Sequence, residues 1–387
     1  MLRHQIVKNF LDSFNYIHYG SIEITMPNGK TYHFVGKEEG PKADLLVYDS
    51  RAFGQFAAKG DIGFAESYRD KWCESKDLVS LFSFCLKNEQ ALESYIHGSF
   101  LRKIASRFAY LFNLNTIRGS RKNVHAHYDL GNDFYKLWLD TSMTYSSAIF
   151  ADKSEDLTSA QYRKYDRIID NINNSGKLLE IGCGWGGFAE RALLKGDYDI
   201  KGITISQQQY SYAKNRLKGN AEISSEDYRL QKGKYNQIVS IEMFEAVGEK
   251  FWDIYFSKIK SLLDQKGRAI IQTITINELY FERYRKSGDA IRTFIFPGGM
   301  LPSTERFISA SSKAGLVVTD KFFFGGDYAL TLNHWLAAFE RKFEQIKELG
   351  LDEKFLRIWR FYLTFCIASF QEGRTDVMQI ALEHDRK

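Results

Sequence analysis

The stretch Leu178–Gly196, LLEIGCGWGGFAERALLKG, decides the fold of this chain. An apolar run is followed by a cluster of glycines and then by an amphipathic run that ends in glycine. This order predicts a strand, a tight loop and a helix. Glycines after a first strand let the backbone approach a nucleotide, and the helix that follows presents free N–H groups. The stretch therefore predicts a nucleotide site in an α/β fold.

The loop fits two nucleotide-binding patterns. The dinucleotide pattern G-x-G-x-x-G is matched by Gly182, Gly184 and Gly187. The acid-x-G-x-G-x-G loop typical of S-adenosylmethionine sites is matched by Glu180, Gly182, Gly184 and Gly186. A nicotinamide dinucleotide would need an acid at the end of the second strand, which instead ends GITISQQQ. S-adenosylmethionine sites often use an acid there too, so both patterns stay open, as does a loop that only packs a helix.

Length and composition exclude several classes of protein. The 387 residues suggest one large and one smaller domain, and the hydrophobic share of 44% is ordinary for a globular protein. The four cysteines show neither metal-ligand spacing nor a dense disulfide pattern, so no metal is expected and a reducing cytoplasm suits the chain. No run reaches the ~20 apolar residues of a membrane span, and the N-terminus is too polar for a signal peptide. The net charge of +5 permits an acidic partner surface.

Patterning divides the chain into three parts. Residues 1–105 form a small unit with a hairpin signal at Asn28–Gly29, residues 106–125 form a basic linker, and residues 126–387 form a larger domain. From about residue 157, short apolar strands alternate with helices, which predicts a parallel sheet covered on both faces.

Three helices are predicted in the C-terminal part. The run PSTERFISASSKAG has Ser303 or Thr304 as N-cap and Gly315 beyond its end. Two longer, aromatic-rich helices are predicted near residues 329–347 and 352–371.

Five motifs occur in order along the chain: HYDLGNDFYKLWLDTSMTYSSAIF, LEIGCGWGGFAERA, GITISQQQ, SIEMFEAVG and FGGDYALTLNHW. Together they resemble the cyclopropane-fatty-acid synthases and the related mycolic acid cyclopropane synthases. The resemblance covers nearly the whole chain, including the small N-terminal domain of the bacterial fatty-acid type. It implies a class I S-adenosylmethionine-dependent methyltransferase, with a Rossmann-like α/β sheet and a small α+β N-terminal domain that associates with lipid. Such an enzyme transfers a methylene group to the cis double bond of an acyl chain in a membrane phospholipid.

The resemblance also implies which residues bind the cofactor. Tyr145 and Ser146 would contact its amino-acid portion, and Glu180 to Gly186 would form the glycine loop. Hydroxyl and amide groups would replace the missing ribose acid, on Thr204, Ser206 and Gln209. Asp227 and Tyr228 lie where the family contacts adenine.

Ring closure requires a base, for which the resemblance implies a bound bicarbonate ion. The matching positions are Ser147, Glu245, Gln272, Tyr328 and the backbone of Ile274. Ser147 stands where most of the family has Cys, and Gln272 where it has His. Both keep a hydrogen-bond donor, but Gln cannot carry a proton. This leaves open an alternative, a lipid methyltransferase that gives a methyl-branched chain without ring closure.

The implied substrate lies in a bilayer, so peripheral association of a cytoplasmic enzyme with the inner face of the membrane is expected. The candidate contact surface includes the N-terminal unit and the basic residues Arg102, Lys103, Arg107, Arg118, Arg121 and Lys122. A homodimer is expected, and no nucleic-acid partner.

A further hypothesis is a non-catalytic lipid-binding protein, against which Glu180, the glycine loop and Glu245 argue. Because aromatic faces stabilise positive charge by ~0.5–2 kcal/mol each, an aromatic-lined pocket is also expected.

Overall fold

The structure of the protein is a computed structural model that describes residues 2–97, 115–117, 119–120 and 130–385. The described residues form two compact units. The first unit contains the N-terminal part of the chain together with residues 282–297 and 343–374, and the second contains the remainder. The predicted boundaries had placed both of these later segments in the larger domain.

The first unit is built on a four-stranded sheet with the spatial order β2-β1-β3-β4. Its strands are β1 (Tyr19–Thr25), β2 (Thr31–Val35), β3 (Glu38–Val47) and β4 (Cys73–Glu74). Strands β1 and β2 are antiparallel, and the turn between them contains Asn28 and Gly29. Gly29 has a φ of 80°, a left-handed angle that favours glycine. The predicted hairpin is therefore confirmed.

Helices from both ends of the chain share the core of the first unit. They are Leu2–Ser13, Arg51–Arg69, Leu78–Lys87, Glu93–His97, Ala290–Phe294, Phe343–Glu348 and Glu353–Gln371. Phe82 and Phe361 meet edge to face with ring centroids 5.0 Å apart. The buried Arg357 donates through Nε to the Tyr68 carbonyl oxygen at 2.6 Å. The predicted aromatic helix near 352–371 is thus confirmed as a helix, and its apolar face completes the core of the N-terminal unit.

The second unit is built on a seven-stranded sheet with the spatial order β10-β11-β9-β8-β5-β6-β7. Its strands are β5 (Ser175–Ile181), β6 (Asp197–Thr204), β7 (Glu222–Ser225), β8 (Tyr235–Ile241), β9 (Leu263–Ile276), β10 (Leu316–Phe323) and β11 (Thr375–His384). Strands β5 to β9 are parallel, as predicted. Strand β11 runs antiparallel between β9 and β10, and neither β10 nor β11 was predicted.

Helices of the second unit alternate with its strands, which confirms the predicted α/β class. They are Asn132–Lys136, Leu157–Asp170, Gly187–Lys195, Gln207–Leu217, Trp252–Leu262, Thr304–Lys313 and Gly325–Arg341, and the unit boundary falls within Glu278–Lys286. The predicted cap at Ser303 is confirmed, because its hydroxyl accepts from the Arg306 N–H at 3.3 Å. The predicted helix near 329–347 is divided in two, at Lys342. Among the described residues, we find no helix long and apolar enough to cross a membrane.

Candidate active site

The predicted site residues gather at one edge of the seven-stranded sheet. Strand order reverses between β5 and β8, because β6 lies on one side of β5 and β8 on the other. In open parallel sheets, ligands bind at the carboxyl ends of the strands beside such a reversal. Glu180 lies near the end of β5 at this edge, and the glycine loop follows it. The same edge carries Thr204 at the end of β6, Glu242 after β8 and Gln272 in β9.

Three glycines of the loop after β5 have left-handed backbone angles, namely Gly182 (φ 83°), Gly184 (φ 53°) and Gly186 (φ 83°). A Cβ at Gly182 would meet Met243 at 3.0 Å, and a Cβ at Gly186 would meet Ala213 at 3.3 Å. A Cβ at Gly184 would meet none of the described heavy atoms within 4 Å. Gly184 therefore borders open space next to a helix N-terminus, where a nucleotide can approach the backbone.

Glu180 is buried, with 3% of its surface exposed. Its carboxylate oxygen Oε2 has no hydrogen-bond partner among the described residues. Burial raises the pKa of Glu180 to about 8, although the positive charges of Lys164 and Arg216 oppose the shift. A buried carboxyl with an unused oxygen, beside an open glycine loop, fits a ligand that carries N–H or O–H donors.

Lys164 holds the predicted cofactor residue Ser146 in place. Its buried ammonium group donates to Ser146 Oγ at 2.6 Å, and Gln161 Nε2 donates to the Ser146 carbonyl oxygen at 2.8 Å. Burial lowers the pKa of Lys164 to about 7, against the opposing charges of nearby carboxylates that include Glu242 and Glu180. The contact of Ser146 with the cofactor itself stays a prediction.

An aromatic cluster links the glycine loop to the carboxyl groups beyond β8. Trp185 of the loop packs on Tyr135 with ring centroids 5.0 Å apart, and Tyr135 packs on Tyr145 at 5.6 Å. Tyr145 packs on Trp335 at 5.2 Å, and Trp335 reaches Tyr328 at 6.1 Å. Tyr145 is partly exposed and the other four rings are buried. Aromatic faces attract positive charge, so the cluster suits a cationic ligand or intermediate.

Hydroxyl and amide groups form a compact network at the end of β6, where an acid is missing. Thr204 Oγ1 donates to Gln209 Oε1 at 2.8 Å, and the Ser206 N–H donates to Thr204 Oγ1 at 3.2 Å. Ser206 also caps the next helix by accepting from the Gln209 N–H at 3.3 Å. The structure therefore brings these three predicted residues together, while their contact with a ribose stays a prediction.

Asp227 and Tyr228 follow β7 and are both buried. The two carboxylate oxygens of Asp227 accept from Arg229, at 2.8 Å from Nε and 2.6 Å from Nη2. Tyr228 packs against Tyr255 with ring centroids 5.4 Å apart. An adenine that used the Asp227 carboxylate would share it with Arg229, and the predicted contact stays a prediction.

Three residues predicted to bind bicarbonate instead donate to one protein carboxylate, Glu242. Its Oε1 accepts from the Ser147 N–H at 2.8 Å and from Gln272 Nε2 at 2.7 Å. Its Oε2 accepts from the Tyr328 hydroxyl at 2.6 Å. Burial raises the pKa of Glu242, while the hydrogen bond from Tyr328 and the charge of Lys164 oppose the shift.

Glu245 accepts a hydrogen bond from the backbone of Ile274, the remaining donor that was predicted to bind bicarbonate. Its Oε1 accepts from the Ile274 N–H at 2.5 Å and from the Thr273 hydroxyl at 3.0 Å. Its Oε2 is buried and has no partner among the described residues. Burial and the charge of Glu242 both raise the pKa of Glu245.

This arrangement does not fit a bicarbonate ion. The predicted residues are brought together as expected, but the Ser147 N–H, the Gln272 amide and the Tyr328 hydroxyl already donate to Glu242, and the Ile274 N–H donates to Glu245. A second anion would compete with these carboxylates for the same hydrogen atoms.

Sequence reasoning missed Glu242, although a signal was present. The motif SIEMFEAVG carries two acids three residues apart, directly after a strand, and only Glu245 was assigned a role. Paired carboxyl groups at the carboxyl end of a parallel strand are typical of acid–base sites. Tyr135 and Trp335, which complete the aromatic cluster, were also not predicted as site residues, and Trp185 was included only as part of the glycine loop.

The open space at Gly184 leads to a direct test of cofactor binding. We expect Gly184→Ala to weaken S-adenosylmethionine binding about tenfold or more, by about 1.4 kcal/mol in calorimetry, because the methyl group enters the space that the nucleoside needs. Gly219→Ala is the matched control, since Gly219 also has a left-handed φ (86°) and open surroundings but follows the helix Gln207–Leu217. Both variants should lose similar stability. Equal cofactor affinity in the two variants would contradict the assignment of the loop.

Comparison with known proteins identifies relatives along most of the chain. The family model for mycolic acid cyclopropane synthetase matches residues 116–380. The chain is 34% identical over 339 residues to tuberculostearic acid methyltransferase UfaA1 of Mycobacterium tuberculosis, covering 84% of this chain and 79% of the relative. It is 33% identical over 343 residues to cyclopropane-fatty-acyl-phospholipid synthase of Escherichia coli, covering 87% of each.

Solved structures similar to this chain include further cyclopropane synthases. The cyclopropane synthase MmaA2 from Mycobacterium tuberculosis aligns with a TM-score of 0.63 at 29% identity, covering 68% of this chain and 97% of its own. Mycolic acid cyclopropane synthase CmaA1, in complex with S-adenosylhomocysteine (SAH) and CTAB, aligns with a TM-score of 0.63 at 32% identity and the same coverage. These neighbours confirm the predicted methyltransferase fold.

Proposed function

The chain belongs to the mycolic acid cyclopropane synthetase family, and on this basis we propose its reaction. It is an S-adenosylmethionine-dependent methyltransferase. It transfers a methylene group to the cis double bond of an unsaturated acyl chain in a membrane phospholipid and closes a cyclopropane ring. The observation that carries the proposal is the aromatic cluster, which joins the open glycine loop to the carboxyl group of Glu242.

The residues of the site provide position and environment for this reaction. When bound, S-adenosylmethionine supplies an electrophilic methyl group on a sulfonium sulfur. Gly184 leaves room for the nucleoside part of the cofactor, and Glu180 accepts hydrogen bonds from that part. Tyr145 and Ser146 hold the amino-acid end of the cofactor. An isolated alkene is a poor nucleophile, so holding it in line with the methyl carbon provides much of the rate enhancement. The aromatic faces then stabilise the positive charge that develops on the acyl chain.

The proposal of a phospholipid substrate is supported by the relative from Escherichia coli, whose name states that substrate. The proposal of the cofactor is supported by the CmaA1 structure, which contains S-adenosylhomocysteine. Bicarbonate, which the family resemblance implied, is not part of the proposal, since its donors are occupied by Glu242 and Glu245.

A second candidate function is methyl transfer without ring closure. Gln272 stands where the family has His, and it cannot carry a proton. The similarity to a tuberculostearic acid methyltransferase, at 34% identity over 84% of this chain, also favours this function. In this reaction the proton leaves a carbon of the acyl chain, the C–H electron pair forms a new double bond to the cationic carbon, and a methyl-branched unsaturated chain results.

Product analysis separates the two functions. Lipids from cells that express the chain are converted to methyl esters and analysed by gas chromatography with mass detection and by proton NMR. We expect an acyl chain that has gained one CH2 group and shows the upfield signals of a cyclopropane ring. A branched chain with vinylic signals and no ring would instead establish the second function, and no added carbon would contradict both.

We also propose peripheral association with an anionic membrane surface. The basic residues predicted to make this contact, between Arg102 and Lys122, lie outside the described residues. A basic surface contributes about 1 kcal/mol per Lys or Arg near an anionic leaflet, and salt screens this attraction. The expected homodimer stays a prediction that light scattering of the purified protein tests.

Salt titration tests the electrostatic part of this association. We expect binding to phosphatidylglycerol vesicles, measured by co-sedimentation, to weaken sharply between low and physiological salt. Neutral phosphatidylcholine vesicles serve as the control and should bind weakly at every salt concentration. Salt-insensitive binding to the anionic vesicles would reject an electrostatic contact.

A further inference from the structure

We propose that Glu242 is the catalytic base of this chain and that its carboxylate takes the place of a bound bicarbonate ion. The inference rests on the proposed one-carbon transfer to an acyl chain. It concerns the step after methyl transfer, in which a proton must leave the cationic intermediate. Glu242 lies at the carboxyl end of β8, beside the loop that is proposed to bind the cofactor.

Donors from three separate segments of the chain converge on the Glu242 carboxylate. Ser147 donates its N–H at 2.8 Å, Gln272 its amide nitrogen at 2.7 Å and Tyr328 its hydroxyl at 2.6 Å. A side-chain carboxylate and bicarbonate are both planar anions that accept through two oxygens, so donors that suit one suit the other. Because Glu242 is covalently attached, it fills this position without the entropy cost of capturing an ion.

A bicarbonate ion beside Glu242 would also be repelled. Glu242 and Glu245 already place two carboxyl groups in the site, close enough for the charge of Glu242 to raise the pKa of Glu245. Like charges this close repel strongly where burial keeps the effective dielectric constant low. A further anion would have to overcome this repulsion with donors that are already engaged.

A chain of hydrogen bonds from Arg167 through two buried glutamines fixes the Gln272 amide with its nitrogen toward Glu242. Arg167 Nη1 donates to Gln379 Oε1 at 2.8 Å, so the Gln379 amide nitrogen donates to Gln272 Oε1 at 3.0 Å. Gln379 and Gln272 are direct partners in the register of β11 and β9. A reversed Gln272 amide would set its oxygen against the Glu242 carboxylate. The relay therefore makes Gln272 and Gln379 positioning residues for a resident anion.

The backbone of Glu242 is held in an unfavourable conformation. Its φ of 48° lies in the left-handed region, which is sterically unfavourable for a residue other than glycine. The Glu242 N–H donates to the Gln272 carbonyl oxygen at 2.8 Å, and the three donors hold its side chain. Such strain persists where surrounding contacts determine it and is concentrated at functional sites. Glycine at this position would remove the carboxylate without new backbone strain.

The proton transfer balances with groups that are present. When the alkene electrons bond to the transferred carbon, the electron pair of the broken S–C bond stays on sulfur and a cationic carbon is left in the acyl chain. An oxygen of Glu242 takes a proton from the transferred carbon, and the C–H electron pair forms the third ring bond to the cationic carbon. Among the described residues, Oε2 of Glu242 accepts one hydrogen bond, from Tyr328, and so keeps a lone pair for this proton.

Regeneration of the base follows from its environment. Burial raises the pKa of Glu242, which makes its carboxylate a stronger proton acceptor than an exposed one. Glu242 is nevertheless only partly buried in the absence of substrate. The protonated carboxyl can therefore return its proton to water after the product has left.

The test compares three full-length enzymes on vesicles of dioleoyl phosphatidylglycerol and dioleoyl phosphatidylethanolamine, in buffer freed of carbon dioxide and after bicarbonate is added. We expect wild-type turnover to be the same in both buffers. Glu242→Gln should be about 100-fold slower or more in both, because its amide fills the position but cannot take the proton. Glu242→Gly should be equally slow without bicarbonate and should recover about tenfold or more with bicarbonate or formate, since the freed donors can then bind a small anion.

Calorimetry with S-adenosylmethionine controls for misfolding, and both variants should keep wild-type affinity. Wild-type turnover that collapses without bicarbonate, or wild-type turnover in Glu242→Gln, would overturn the role of Glu242 and leave the proposed function standing. A wild-type enzyme that forms no lipid product in either buffer would overturn the proposed function, and this inference with it.

Discussion

A Glu180→Gln variant is expected to bind S-adenosylmethionine at least about 30-fold more weakly than the wild type, a loss of about 2 kcal/mol or more. Glu180 is buried next to the glycine loop, and its Oε2 has no partner among the described residues. A ligand donor that meets this oxygen favours the ionised carboxylate and then gains a charge-assisted hydrogen bond in a desolvated site. Glutamine offers one weaker acceptor and an amide that opposes a donor.

The same variant should be more stable than the wild type at alkaline pH. Burial raises the folded-state pKa of Glu180 to about 8, above its ordinary value of 4.5. The stability that this carboxyl contributes is complete below pH 4.5 and is lost as the pH rises through about 8, because folding then buries a charge. Glutamine removes this dependence. We expect a gain of order 1–3 kcal/mol at pH 8.5 that shrinks toward pH 5, measured by denaturant unfolding.

Glu222→Gln is the matched control for Glu180→Gln. Glu222 is an exposed acid on β7 that pairs with Lys201 at 2.9 Å, away from the glycine loop. Its replacement should change neither cofactor affinity nor the pH dependence of unfolding by a measurable amount. If Glu180→Gln bound S-adenosylmethionine as tightly as this control, Glu180 would have no place in the cofactor site.

A Glu245→Gln variant is expected to keep the cofactor affinity of the wild type and to lose about 100-fold in turnover. The glutamine oxygen can still accept from the Ile274 N–H and the Thr273 hydroxyl, so the local fold is preserved. What is lost is a carboxyl group that can ionise when the acyl chain beside it becomes cationic, since a nearby positive charge lowers the raised pKa of Glu245. Glu245 Oε2 has no hydrogen-bond partner among the described residues, so its developing charge can face the intermediate.

Calorimetry and single-turnover kinetics on phospholipid vesicles check this expectation. Glu222→Gln again serves as the control for removal of a carboxylate, and it should react at the wild-type rate. A Glu245→Gln enzyme with unchanged turnover would remove Glu245 from the mechanism. Weakened cofactor binding with unchanged turnover would instead place Glu245 in the cofactor site.

Local patterns were sufficient to predict strands β5 to β9 and the helices between them. These strands carry apolar runs bounded by glycines and amphipathic segments, which a short window of sequence reveals. After its first residue, strand β10 alternates exposed and half-buried residues at the sheet edge, and β11 follows a long helix before it inserts between β9 and β10. Pairing of this kind joins distant segments, so no local pattern encodes it.

Domain boundaries were also beyond local reasoning. The helix Glu353–Gln371 has an apolar, aromatic face that could pack against either unit. Its sequence alone therefore does not indicate which of the two cores it completes. Only the contacts of Phe361 with Phe82 and of Arg357 with Tyr68 place it in the N-terminal unit. The predicted association of residues 1–105 with lipid stays a prediction.

The candidate site shows the same limit at the level of single residues. The family resemblance identified Ser147, Gln272 and Tyr328, and the structure brings them together. It did not identify Glu242, because the pair of acids after β8 indicates a site but does not show which of the two carboxyl groups receives the donors. The role of Glu242 follows only when donors from three distant segments are seen to meet on its carboxylate.

The most direct test of the account uses S-adenosylmethionine with a fully deuterated methyl group. Purified enzyme is incubated with dioleoyl phospholipid vesicles in bicarbonate-free buffer, and the added carbon of the acyl product is analysed by mass spectrometry and NMR. The account predicts a cyclopropane carbon that keeps two of its three deuterium atoms, because a residue of the site has removed the third. A product carbon that keeps all three, or no product until bicarbonate is added, would contradict it.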